Sequence, residues 1–307
     1  MWKVLSGVFM GWSLGANDSA NIFGTGVTTG TVKYKQAIWV TAVFVFMGSV
    51  LEGSKCMATV SEISRLLPIH AFCCALATAV TMATLTYLAI PASTSQGIIG
   101  AVIGAGILSG SADFSRLYKI VSCWVLTPIS GIIVGYFLHR LLGYILDRTI
   151  ASITYRNLLY SIGIITAGSY GAYSLGCNNV ANVTGVYVGP GILSAEMASV
   201  IGGLSIACGV LTYSEKVMMT VGKGIAPLDP FSGLVTVLAT ALTLHIFTQI
   251  GVPVSSSQAV VGAVVGVGMV GDVRTVSPKM LAKIGAGWVL TPVSAGLLAW
   301  VLIRWTA

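Results

Sequence analysis

Two kinds of short polar string interrupt an otherwise apolar sequence, and each occurs twice. In GANDSAN, Asn17, Asp18 and Asn21 sit inside an apolar run flanked by Gly15 and Gly24. Carboxylate and amide oxygens beside unwound backbone are what a hard cation such as sodium requires, and amide N–H groups donate to an anion. A lone polar cluster in a membrane helix is more often a packing hydrogen bond. Its recurrence as Asn178, Asn179 and Asn182, with an ionisable member in the first copy, favours a binding role instead.

The second string, PASTSQG, returns as PVSSSQA. Pro91 and Pro253 favour extended backbone just before them, Ser93 and Ser255 are good N-caps, and Gln96 and Gln258 fall at the third helical position of a capping box. Each string predicts the start of a helix. One reading is that these residues only cap it. The other is that a buried helix N-terminus offers N–H donors and the positive end of the dipole to an anion. Two such ends, lined by Ser93, Thr94, Ser95, Ser255, Ser256 and Ser257, would surround a tetrahedral oxyanion with donors.

The elements that must position these strings are membrane helices. Of 307 residues, 55% are hydrophobic and 8% charged, where a soluble domain carries about a quarter charged. The mean hydropathy of +0.91 makes lipid the solvent, so the bilayer is the expected partner. The net charge of +7 comes without clustered Lys and Arg interleaved with aromatics, so no nucleic-acid partner is expected. The six cysteines (56, 73, 74, 123, 177 and 208) lack CxxC spacing, and most sit in apolar runs as small hydrophobes.

Each half holds five apolar stretches: Val4–Val27, Ala37–Leu51, Ile69–Ile90, Gly97–Leu108 and Ile120–Leu142, then Leu158–Val188, Val200–Leu211, Gly233–Val252, Ala259–Val270 and Ile284–Ile303. A spanning helix needs about 20 residues, so Gly97–Leu108 and Ala259–Val270 are expected to be half-helices beside a polar cavity. The halves repeat in order. Ser13–Asn21 matches Ser174–Asn182, Ser54–Val60 matches Glu215–Val221, Ile90–Gly106 matches Val252–Gly268, and Cys123–Ser130 matches Gly287–Ser294. The expected fold is an all-α integral membrane protein of two inverted repeats, residues 1–143 and 158–307, with broken helices or re-entrant hairpins at the polar strings. A short loop at 144–157 joins them. With five crossings per half, the loops at Lys33/Lys35, Arg140/Arg148/Arg156, Lys216/Lys223 and Arg274/Lys279/Lys283 share the more basic side, which predicts both termini outside the cell membrane.

Glu52 with Lys55, and Glu215 with Lys216, are candidate interfacial ion pairs, and the GxxxG spacings at Gly100, Gly131 and Gly262 predict close helix packing. His245, inside an apolar helix, reads as a satisfied core histidine. No nucleophile–base pair, metal-ligand spacing or phosphate-loop lysine is present, so no catalytic activity and no cofactor are expected.

GANDSAN, SLGCNNVAN and the paired PASTSQ/PVSSSQ strings resemble the duplicated signature of the inorganic phosphate transporter (PiT) family, over nearly the whole chain. The resemblance implies a sodium- or proton-coupled carrier with an inverted repeat. It places the anion at Ser93, Thr94, Ser95, Gln96, Ser255, Ser256, Ser257 and Gln258 with Asn17 and Asn178, and sodium at Asp18, Asn21, Asn179 and Asn182. The expected function is sodium-coupled uptake of inorganic phosphate by alternating access. A proton-coupled carrier of sulfate or another tetrahedral oxyanion, or a passive channel with paired half-helices, is the alternative, and homo-oligomerisation is left open. One departure stands out: the family usually has Asp in both copies, whereas the second is Asn179 here. The long central hydrophilic loop of some members is also missing.

Overall fold

A computed structural model describes residues 2–28, 30–63, 66–88, 90, 92–112, 114–224, 228–270 and 278–306. In the first half the helices are α1 (Leu5–Asp18), α2 (Ala20–Thr28), α3 (Tyr34–Glu52), α4 (Met57–Ser61), α5 (Pro68–Tyr87), α6 (Thr94–Ser109) and α7 (Phe114–Thr149). The second half contributes α8 (Ile153–Thr184), α9 (Ala195–Tyr213), α10 (Glu215–Gly224), α11 (Pro230–Ile250), α12 (Ser256–Gly268) and α13 (Pro278–Thr306). Six helical segments among the described residues are long and apolar enough to cross a membrane. The half-helices expected from the sequence are α6 and α12, of 16 and 13 residues. At 1.5 Å per residue they reach about 24 and 20 Å, short of a hydrocarbon core of about 30 Å.

Local chemistry explains their ends. Ser93 and Ser255 adopt extended backbone, and each side-chain oxygen accepts from the amide three residues on, Gln96 N and Gln258 N, at 3.3 Å. Gly110 closes α6 at φ +66, and Gly251 closes α11 at φ +79, a left-handed conformation that suits glycine. Asp229 caps α11 by accepting from Phe231 N and Ser232 N.

The two copies interlock by exchange. α1 packs along α9, and α8, the repeat of α1, packs along α3, the repeat of α9. A Cβ at Gly15 would strike the Ile206 carbonyl, and one at the matching Gly176 would strike the Val45 carbonyl. The half-helices follow the same rule: Gly100 and Gly104 of α6 abut Pro292 and Gly296 of α13, while Gly262 and Gly266 of α12 abut Pro128 and Ile132 of α7. These small residues let backbones touch, which is how helices associate where lipid offers no hydrophobic drive.

Helix directions follow from the same contacts. α1 and α9 run together, Gly11 meeting Ser205 and Gly15 meeting Ile206 and Val210, as do α3 and α8, where Gly48 meets Tyr173 and Gly53 meets Val180. α3 and α9 run oppositely, with Gly53 against Ser199 and Ser49 against Gly203. α1 and its repeat α8 are therefore antiparallel. Outward faces of α7 and α13 carry exposed apolar side chains such as Val125, Ile129, Ile133, Val289, Val293 and Leu297, as expected of surfaces wetted by lipid.

Three expectations are altered. The first polar string does interrupt its helix, at Ser19 between α1 and α2, but α8 runs unbroken through Asn178, Asn179 and Asn182 and ends only at Thr184. The connecting segment expected at 144–157 is mostly helical, because α7 continues to Thr149 and α8 begins at Ile153. The strings at Ser54–Val60 and Glu215–Val221 form short helical pieces, α4 with the turn before it and α10, which the apolar-run reading did not separate. Pro91, Arg65 and Arg274 lie outside the described residues.

Candidate functional site

The N-termini of α6 and α12 meet. Ser95 Oγ, in the first turn of α6, donates to the carbonyl of Val254, two residues before α12, at 2.8 Å. By helix geometry the N–H groups of Thr94 and Ser95, and of Ser256 and Ser257, have no intrahelical acceptor. Two positive helix ends thus converge on one buried region.

Each half-helix end is paired with the polar string of the other copy. Ser256 Oγ of α12 donates to Asp18 Oδ2 at 3.0 Å and accepts from Asn21 Nδ2 at 2.9 Å. Ser95 Oγ of α6 accepts from Asn182 Nδ2 at 2.9 Å, and the same Nδ2 donates to Asn179 Oδ1 at 2.9 Å. Asp18, Asn21, Asn179, Asn182, Thr94, Ser95, Ser256 and Ser257 are all buried.

Buried polar atoms normally find partners, yet several here have none. Asp18 Oδ1, Asn182 Oδ1, Gln96 Oε1 and Gln258 Oε1 are unpartnered acceptors, and Asn179 Nδ2, Thr94 Oγ1 and Ser19 Oγ are unpartnered groups able to donate. Hard oxygen acceptors that include one carboxylate fit a small hard cation. The donors, with two helix N-termini, fit an oxyanion. Among the described residues no three His, Cys, Asp or Glu side chains cluster as a metal-ligand set.

Asn17 and Asn178, expected at the anion, are engaged elsewhere. Asn178 Nδ2 donates to Thr248 Oγ1 at 3.1 Å and Val252 O at 3.2 Å, and its Oδ1 accepts from Val254 N at 2.8 Å. Asn17 repeats this pattern with Thr86 Oγ1 at 2.9 Å, Ile90 O and Ala92 N. Both asparagines brace the extended chain that leads into a half-helix. No sequence signal singles out Thr86 and Thr248, although each stands five residues before the proline of its string. The capping box is half formed: the serines cap, but the glutamine oxygens do not bond back to the cap. Ser255 and Ser257 Oγ lie 2.9 Å apart, and Trp288 Nε1 donates to Ser257 at 3.3 Å.

Residues 14–299 match the phosphate transporter family. The chain belongs to that family. It is 28% identical to the sulfate permease of Bacillus subtilis, over 98% of this chain and 86% of the relative. It is 25% identical to a chloroplastic inorganic phosphate transporter of Arabidopsis thaliana, over 98% of this chain and 71% of the relative. Its fold matches that of a sodium-dependent phosphate transporter with TM-score 0.85 and 22% identity, covering 98% of both chains. Family and helices together make this phosphate transporter family member a multi-pass membrane protein.

Away from the centre, Glu52 gathers Lys55 Nζ (2.7 Å), Gln249 Nε2 (2.7 Å) and Tyr173 Oη (2.6 Å), tying the end of α3 to α8 and α11. His245 is held within this network: Nδ1 lies 2.8 Å from Tyr170 Oη and Nε2 lies 3.5 Å from Glu52. Lys216 donates to the Tyr87 carbonyl at 2.8 Å.

Proposed function

We propose that this protein is a secondary active transporter that carries inorganic phosphate across the cell membrane coupled to sodium, with the anion held between the α6 and α12 N-termini. The observation that carries the reading is the meeting of two helix ends, marked by the Ser95–Val254 bond, beside buried donors and acceptors that lack partners. Asp18, with the buried oxygens beside it, is the sodium ligand; Thr94 Oγ1 and the free backbone amides at the starts of α6 and α12 hold the anion. Asn17 and Asn178 position the half-helices. Sodium suits this set because the oxygens are hard and one is charged.

Alternating access is supported by a break in the symmetry of the centre. Ser95 reaches across to Val254 O and Asn182, whereas its repeat Ser257 stays with Trp288, and Trp124, the repeat of Trp288, has a buried Nε1 without a partner. By the repeat, the mirror arrangement would place Trp124 on Ser95 and Ser257 across to the Ala92 carbonyl. Two such arrangements of nearly equal energy are what a carrier needs. The antiparallel course of α1 and α8 supports copies that lie inverted in the bilayer about this centre.

Phosphate is the preferred anion because at neutral pH it keeps a P–OH proton for a buried acceptor. Sulfate brings only acceptors, which leaves such a group unmatched, and mismatches of this kind discriminate by up to about 10⁴. Competition tests it. Excess arsenate should block uptake of labelled phosphate into proteoliposomes while excess sulfate barely slows it. Sulfate competing as well as arsenate would transfer the assignment to sulfate.

A further inference from the structure

The two halves of the centre are built alike but end in opposite hydrogen-bonding character, and the direction of two hydroxyl protons decides it. Ser95 gives its one proton to Val254 O, so Asn182 has to face Ser95 with Nδ2. That Nδ2 also donates to Asn179, which therefore presents Oδ1 and leaves its own Nδ2 buried without a partner. In the other half Ser256 gives its proton to Asp18 Oδ2 and accepts from Asn21, leaving Asp18 Oδ1 buried without a partner. Positions 18 and 179 correspond in the repeat, and both residues are 1% exposed. One presents a charged acceptor and the other a donor. An amide N–H has no lone pair to offer a cation.

We propose that Asn179 binds the transported anion through Nδ2 and is not a sodium ligand, so that the cation sits at Asp18 while the anion between the two helix ends meets a donor at position 179. This rests on the transport reading above and assigns a substrate contact within it. Asn182, bonded to Asn179, keeps a neutral and unpartnered Oδ1, which suits the P–OH proton of phosphate. A single carboxylate then serves the whole centre, and the anion meets a donor where the repeat would otherwise place a second negative charge.

The test is equilibrium binding of labelled phosphate to the purified full chain in detergent, at low and at high sodium, with Tm recorded for each variant. Asn179→Asp keeps the oxygen that Asn182 uses and replaces only the free donor by a charged acceptor. It should weaken phosphate binding about tenfold or more at low sodium, and the loss should shrink as sodium rises, because the new carboxylate takes a cation. Asn179→Ala removes the donor without adding charge and should weaken binding by a smaller factor that sodium does not alter. Wild-type phosphate affinity at low sodium in either variant, with Tm near that of the wild type, overturns the proposal, and if Asn179→Asp does not fold then Asn179→Ala decides. If wild-type protein binds phosphate equally with and without sodium, it is sodium coupling that fails, and the comparison at position 179 is still read at any sodium concentration.

Discussion

Replacing Asp18 by Asn changes one oxygen to nitrogen and one charge to none. Asp18 Oδ2 accepts from Ser256 at 3.0 Å, and an Asn oxygen can keep that bond, so the path from α1 to α12 survives. What changes is Oδ1, the unpartnered atom, which becomes a donor. Removing a unit charge about 4 Å from a cation, at an effective dielectric constant near 20, forfeits about 4 kcal/mol. That is roughly a thousandfold in cation affinity. Folding should not suffer, because a charge at 1% exposure is costly to bury and a neutral amide relieves that cost. Asp18→Asn should therefore keep or raise Tm while abolishing sodium-driven uptake of labelled phosphate at sodium concentrations that saturate the wild type. A folded variant with wild-type uptake and wild-type sodium dependence would refute Asp18 as the cation ligand.

Three further outcomes follow from the packing, the brace and the charge of the loops. Gly262→Ala places a methyl against the Pro128 carbonyl and Gly100→Ala one against Pro292, so each should lower stability by about 1–3 kcal/mol in denaturant or thermal titrations, with no gain in transport. Asn178→Ala strips Val254 N of its acceptor and should cost about 1–3 kcal/mol, with uptake lost through a displaced α12; a variant as stable as wild type would dismiss the brace. In a background without native cysteines, cysteines placed at Lys33 and Lys216 should both resist a membrane-impermeant thiol reagent applied outside intact cells, and labelling of either would overturn the orientation expected from loop charge.

Much of the centre was legible because its signals are local and doubled. Ser93 with Gln96 and Ser255 with Gln258 carry the N-cap spacing on their own, and the short runs after them predict half-helices without any tertiary knowledge. What stayed hidden depends on partners far away in sequence. Nothing near Asn178 in the sequence says that Thr248 and Val254 claim its amide. The repeat also hid a difference: identical spacing predicts a break in both copies, but α8 stays helical through Asn182 while its counterpart is interrupted at Ser19. The cross-copy pairing of Ser95 with Asn182 and of Ser256 with Asp18 is a property of two interlocked chains of helices, and no window of sequence contains it.

Sodium-driven movement of the anion through this centre can be measured directly. Purified protein in proteoliposomes, given labelled phosphate and an inward sodium gradient at fixed pH, should accumulate phosphate above the outside concentration. That accumulation should vanish when potassium replaces sodium. Equilibration without accumulation would mark a channel, and accumulation that persists in potassium and quickens at low pH would mark proton coupling; either result contradicts sodium-driven transport.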